Sequence, residues 1–170
     1  MIMSSSSEFR IEAATESDIP LILTFIKGLA QYEGLADAVV ATEESLRESL
    51  FGPRAGAEVV IAYSATEPVG FAVFFHNYST FLGRTGLYLE DLFVVPEWRG
   101  RGLGRALLRY VARIAVTRDC GRLEWSVLNW NEPAIRFYQA LGARPMDEWT
   151  IYRLTGESLE QLSVESDLNK

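Results

Sequence analysis

The segment Leu87-Tyr88-Leu89-Glu90-Asp91-Leu92-Phe93-Val94-Val95-Pro96-Glu97-Trp98-Arg99-Gly100-Arg101-Gly102-Leu103-Gly104-Arg105-Ala106-Leu107-Leu108 opens as an alternating, β-prone run and turns at Pro96. It then passes three alternating glycines and continues with apolar residues at helical spacing from Leu103. The pattern predicts strand, glycine loop, helix. Glycines at 100, 102 and 104 permit positive φ and close backbone approach, so that amide hydrogens converge at a helix N-terminus. Such a terminus suits phosphate.

Spacing narrows the phosphate ligand. A Walker A loop requires G-x-x-x-x-G-K-[ST], and the lysine and hydroxyl are absent here. A dinucleotide fingerprint requires G-x-G-x-x-G, but Arg105 and Leu107 stand three residues after Gly102 and Gly104. The pattern that remains is Arg99-x-x-Gly102-x-Gly104.

Working outward, 170 residues with 48% hydrophobic content predict one domain with a real core, from residue 9 to 163, between a serine-rich N-terminal tail (1–8) and a short C-terminal tail (164–170). Cys120 is the only cysteine, which excludes an internal disulfide and is expected to be small core packing. With His76 the only histidine, tetrahedral zinc and Cys-His nucleophilic catalysis lack partners, and no metal is expected. No secretory pattern or long apolar run is present, so a cytoplasmic, soluble chain is expected, with no membrane partner. The net charge of −7 disfavours nucleic acid and favours a cationic substrate. Against that acidity, Arg99, Arg101, Arg105, Arg109 and Arg113 crowd one region. Arg109 and Arg113 read as a solvated helix face, and Arg99, Arg101 and Arg105 as phosphate neighbours.

In chain order the expected elements are a strand at 9–13, a helix from the Thr15 cap to Glu33 and a helix from the Thr42 cap to Leu50. Strands follow at 58–64, 69–78 and 87–95, then a helix over 103–119 and a fifth strand over 122–128. A helix begins at Asn131-Glu132-Pro133 and ends at Leu141-Gly142, a last hairpin spans 143–154, and a terminal helix covers 156–163. The expectation is an α+β fold: a mixed, mostly antiparallel sheet with helices on both faces. A right-handed crossover makes strands four and five a central parallel pair.

Glu90 lies in an apolar strand just ahead of the loop. Desolvation there would raise its pKa toward a useful range for accepting a proton; alternatively, Glu90 and Asp91 both point to solvent. Tyr138 lies on the apolar face of its helix with Ala134, Phe137 and Leu141. It reads either as core or as an acid that hydrogen-bonds a departing thiolate.

The pattern Arg99-x-x-Gly102-x-Gly104 resembles the pyrophosphate signature of the GNAT superfamily of acyl-CoA N-acyltransferases. Three further blocks are similar to its spermidine/spermine (diamine) and thialysine acetyltransferase branch: 26–33, 87–94 and 130–138. The resemblance runs from about 9 to 162. It implies acetyl transfer from acetyl-CoA to a primary amine of a small molecule, in a homodimer. It also implies roles: Glu90 as base and Tyr138 as acid; backbone bonds from Leu92, Phe93 and Val94 to pantetheine; and a pyrophosphate cradle from Arg99, Gly100, Arg101, Gly102, Leu103, Gly104 and Arg105. Asn131 and Tyr138 fall at cofactor-contacting positions, and Tyr32, Glu33 and Glu90 at substrate-binding ones. Where the polyamine enzymes carry an acidic residue and a tryptophan after the third strand, this chain has Asn77-Tyr78-Ser79-Thr80-Phe81. The alternatives are a protein or peptide N-acetyltransferase and a non-catalytic acyl-CoA sensor.

Overall fold

The computed structural model describes residues 9–164, and the two expected tails lie outside them apart from Val164, which closes the last helix. The chain falls into two compact units divided after Leu128.

In the first unit, strands β1 (Arg10–Ala13), β2 (Glu58–Ser64), β3 (Glu67–Ser79), β4 (Arg84–Val94) and β5 (Leu123–Trp125) form one sheet in sequence order. All neighbours are antiparallel except β4 and β5, which are parallel. Helix α1 (Ile19–Glu33) follows a capping box in which Asp18 accepts from the Thr15 N–H at 2.7 Å. Helix α2 (Glu43–Phe51) starts where Thr42 Oγ1 accepts from the Ser45 N–H at 3.1 Å. One face of the sheet packs on these helices: Ile19, Ile22 and Phe25 of α1 and Leu46 of α2 meet Val59, Ile61, Phe71, Val73 and Phe93. Phe25 and Phe71 have ring centroids 5.3 Å apart, and Phe93 lies 5.9 Å from Phe25. Each buried ring contributes roughly 1.5–3 kcal/mol of hydrophobic stabilisation. Helix α3 (Leu103–Thr117) packs on β3 and β4, burying Leu103, Leu107, Leu108, Val111 and Ala115.

A β-bulge sets the geometry of β4. Phe74 pairs with Leu89 and Val73 with Asp91, so Glu90 is the extra residue. Side chains alternate along a strand, and an inserted residue resets the alternation. Leu87 and Leu89 therefore share the face of Ala72 and Phe74, whereas Asp91 and Phe93 share the opposite face, with Val73 and Phe71. A bulge also bends its strand. Pairing between β4 and β5 ends at Leu89 and Trp125, immediately before the bulge. The strand expected over 122–128 is accordingly short.

In the second unit, helix α4 (Glu132–Ala140) is capped by Asn131, whose Oδ1 accepts from the Ala134 N–H at 3.3 Å, and helix α5 spans Gly156–Val164. The hairpin expected over 143–154 does not form strands, and Trp149, Ile151, Tyr152 and Leu154 are exposed. Hence the parallel pair stands at the edge of the sheet rather than at its centre. Cys120, expected in the core, is half-buried, with its sulfur 3.8 Å from Thr85 Oγ1.

Candidate active site

Beyond Leu89, β4 runs on from Glu90 to Val94 without β5 beside it. The Val95 N–H bonds to the Val69 carbonyl at 3.0 Å. By alternation the N–H groups of Phe93 and Asp91 also turn toward β3, while those of Leu92 and Val94 turn to the edge that β5 has left. That edge offers backbone donors to an extended ligand.

At its end lies the glycine loop. A short 3₁₀ turn over Pro96–Trp98 leads to Gly100, with φ of 75°, and to Gly102, which holds the N-cap position of α3 with φ of 84°. The first helical bond runs from the Ala106 N–H to the Gly102 carbonyl, so the amides of Leu103, Gly104 and Arg105 have no acceptor within the helix. No side chain caps them, in contrast to α2 and α4. A Cβ added at Gly102 would meet nothing within 4 Å, and one at Gly104 only a Val94 methyl at 4.0 Å. This uncapped, roomy N-terminus fits a pyrophosphate, with the helix dipole adding to the amide donors.

The arginines sit differently from one another. Arg99 donates from Nε to the Val94 carbonyl at 3.0 Å, and its guanidinium lies 4.4 Å over the Tyr32 ring. Arg101 stacks on Trp98 at 4.6 Å, and Arg105 is exposed on the first turn of α3.

Tyr32 and Glu33 close α1, and Glu33 shares its surroundings with the bulge. Burial raises the Glu33 carboxyl above its usual range. Glu90 is exposed, whereas Asp91, which the second of the two sequence readings also turned to solvent, is half-buried. The group that burial raises strongly is Asp91, to about 6, with further contributions from the negative charges of Glu90 and Glu33. Two adjacent acids on a regular strand must face opposite ways; the bulge decides which one is turned in, and periodicity alone does not reveal a bulge. The first unit thus brings together Tyr32, Glu33, Glu90, Asp91 and Arg99 around one end of the open β4 edge. Asn131 and Tyr138 belong to the second unit. Asn131 is buried as the cap of α4, and Tyr138 is half-buried, with the Phe137 ring 5.2 Å away.

The profile of the acetyltransferase (GNAT) family matches residues 29–143. The chain belongs to the GNAT family of acetyltransferases. Among its relatives, thialysine N-epsilon-acetyltransferase of Bos taurus is 37% identical, covering 90% of this chain and 96% of its own length. The L-ornithine N5-acetyltransferase of Arabidopsis thaliana is 32% identical, covering 90% of this chain and 87% of its own. A solved integron cassette protein from the mobile metagenome of V. cholerae superposes with a TM-score of 0.78 at 28% identity, covering 94% of this chain and all of its own. This acetyltransferase therefore has the GNAT fold. No helix among its described residues is long and apolar enough to cross a membrane.

Proposed function

We propose that this acetyltransferase moves the acetyl group of acetyl-CoA onto a primary amine of a small molecule, by direct attack with both substrates bound. The observation that carries the reading is Asp91: a carboxyl raised to about 6 beside Glu33 and Glu90, at the start of an open strand edge that ends in an uncapped glycine loop. The relatives named for thialysine and ornithine act on small amines, which supports the acceptor class.

Acetyl-CoA supplies the acyl group already activated as a thioester. The amides of Leu103, Gly104 and Arg105 bind its pyrophosphate, and the open edge at Leu92 and Val94 aligns with the amides of pantetheine. The acidic cluster draws the cationic amine. Asp91, assisted by Glu90 directly or through water, accepts the ammonium proton so that the neutral amine can attack. The Leu92 amide donates to the oxygen that gains charge. Tyr138 donates its phenolic proton to the departing sulfur, a role open to a phenol because phenols are ordinarily weaker acids than thiols and so keep the proton until the thiolate forms.

Release of free thiol from acetyl-CoA in the presence of a panel of small primary amines tests this function. Turnover with at least one is expected. Tight CoA binding with no turnover on any would point to a sensor or to a protein acceptor. A cytoplasmic homodimer completes the proposal, supported by the exposed apolar side chains of Trp149, Ile151, Tyr152 and Leu154. A monomer in light scattering at micromolar concentration would remove the dimer.

A further inference from the structure

Strand β5 is held differently on the two sides of its last backbone pair. Before that pair, the Leu87 N–H donates to the Arg122 carbonyl at 3.0 Å, and Asn77 Nδ2 donates to Glu124 Oε2 at 2.9 Å. Asn77 reaches Glu124 from β3, across β4, because its partner there is Gly86, where a Cβ would collide with Asn77 Oδ1. Leu89 and Trp125 make the last pair, and on regular strands Glu90 and Ser126 would make the next. The bulge takes Glu90 out of that register. Ser126 is exposed, so packing does not fix it. What holds it is a side chain: Tyr88 Oη and Ser126 Oγ are hydrogen-bonded at 2.6 Å. The Tyr88 ring is half-buried and lies against Phe75 with centroids 5.2 Å apart, so the hydroxyl is presented from a fixed base. This bond continues the junction of β4 and β5 one residue past the end of its backbone pairing.

Where that junction ends matters for the acyl donor. On the proposed acetyl-transfer reading, CoA runs from the glycine loop along Val94 and Leu92, with the thioester carbonyl at the Leu92 amide. Its acyl chain then continues toward Leu89 and Trp125, into the wedge where the two strands close. Paired strands lie about 4.8 Å apart, and a chain lying between two strands needs roughly twice that spacing. Close to the junction the wedge is therefore too narrow for any chain, and the residue at which the strands begin to part sets how far an acyl group can enter. With Ser126 tied to Tyr88, the parting begins nearer Leu92. A freed Ser126 lets the end of β5 move out from Trp125 onward, and the wedge deepens.

We propose that the hydrogen bond between Tyr88 and Ser126 determines donor specificity: it closes the wedge between β4 and β5 so that acetyl is admitted and longer acyl chains are excluded. The two residues position the strands and take no part in the chemistry. The inference rests on the acetyl-transfer reading for the course of CoA. The test compares kcat/KM for acetyl-CoA with that for butanoyl-CoA, using one accepted amine, in the wild type, Tyr88→Phe, Ser126→Ala and the double variant. The wild type favours acetyl-CoA by at least about tenfold. Each single variant narrows that preference by roughly three- to tenfold through a lower KM for butanoyl-CoA, the scale of one neutral hydrogen bond. The double variant narrows it no further, since either change breaks the same bond. Ser126→Thr keeps the hydroxyl and retains the wild-type ratio, and it carries the comparison with Ser126→Ala if Tyr88→Phe does not fold. A purely structural loss would lower both activities together and leave the ratio alone. A wild type indifferent to chain length, an unchanged ratio in the single variants, or additive effects in the double variant overturns the proposal. Absence of turnover with every amine and both donors would defeat the acetyl-transfer reading instead. Calorimetric titration with the two thioesters would then decide the wedge alone: tighter binding of acetyl-CoA that narrows in the variants supports it, and equal affinities or no binding overturn it.

Discussion

Helices α2 and α3 begin in opposite ways. The first turn of α2 is closed by its own chain, with Thr42 and Ser45 exchanging hydrogen bonds and Glu43 and Glu44 facing the dipole. The first turn of α3 has a glycine in the left-handed region, no capping side chain and no acid. One terminus is finished by folding, and the other is left open, as the proposed phosphate site requires. A capping residue in place of Gly102 would satisfy the helix and fill the place proposed for the phosphate.

Breaking the open terminus produces the largest effect. Gly102→Val forces a β-branched residue into positive φ and sets a side chain beside the amides. Affinity for CoA is expected to fall by more than roughly 10²-fold, and unchanged affinity of a folded variant in calorimetry would remove the phosphate assignment. Tyr138→Phe, on a helix with a closed start, should leave CoA affinity intact and lower kcat by roughly 10²-fold. The loss should shrink with an acyl donor whose thiol is more acidic. Wild-type kcat under conditions where chemistry limits the rate would return Tyr138 to a packing role.

Asp91 sharpens the contrast between binding and stability through pH. Its folded pKa, about 6, lies above the ordinary value, so the folded state holds the proton more tightly. The stability this gives is fully present below about pH 4 and is lost as pH rises through 6. Asp91→Asn does not titrate, and should gain up to about 3 kcal/mol relative to wild type between pH 4 and 7.5 in urea unfolding. A constant difference across that range would show that Asp91 is not desolvated. The same variant should lose the acidic limb of kcat near pH 6. Smallest of all, Thr42→Ala should cost about 1 kcal/mol of stability without changing CoA affinity.

Much of this was legible in the sequence. The starts of α1, α2 and α4 lay open because Thr15, Thr42 and Asn131 with Pro133 are caps whose chemistry is local. The glycine loop was legible because positive φ at Gly100 and Gly102 leaves little choice of residue. The bulge at Glu90 was hidden, since an inserted residue leaves no mark on composition, and with it went the inward turn of Asp91 and the early end of β5. The expected hairpin over 143–154 failed for a related reason: β-prone residues make strands only where a neighbouring edge is in register to receive them. Nor does periodicity reveal the meeting of Asn77 with Glu124, which depends on the gap left by Gly86 one strand away.

The Arg99 side chain has a thermodynamic consequence. Its Nε holds the Val94 carbonyl, and its guanidinium rests on Tyr32. Val94 belongs to the edge proposed for the acyl donor and Tyr32 to the helix end proposed for the amine. One side chain therefore spans the two, and a shift of either is felt by the other. Coupling of this kind is reciprocal in free energy. Whatever factor the donor contributes to amine affinity, the amine returns to the donor, and cutting the guanidinium away would remove this bridge between the two equilibria.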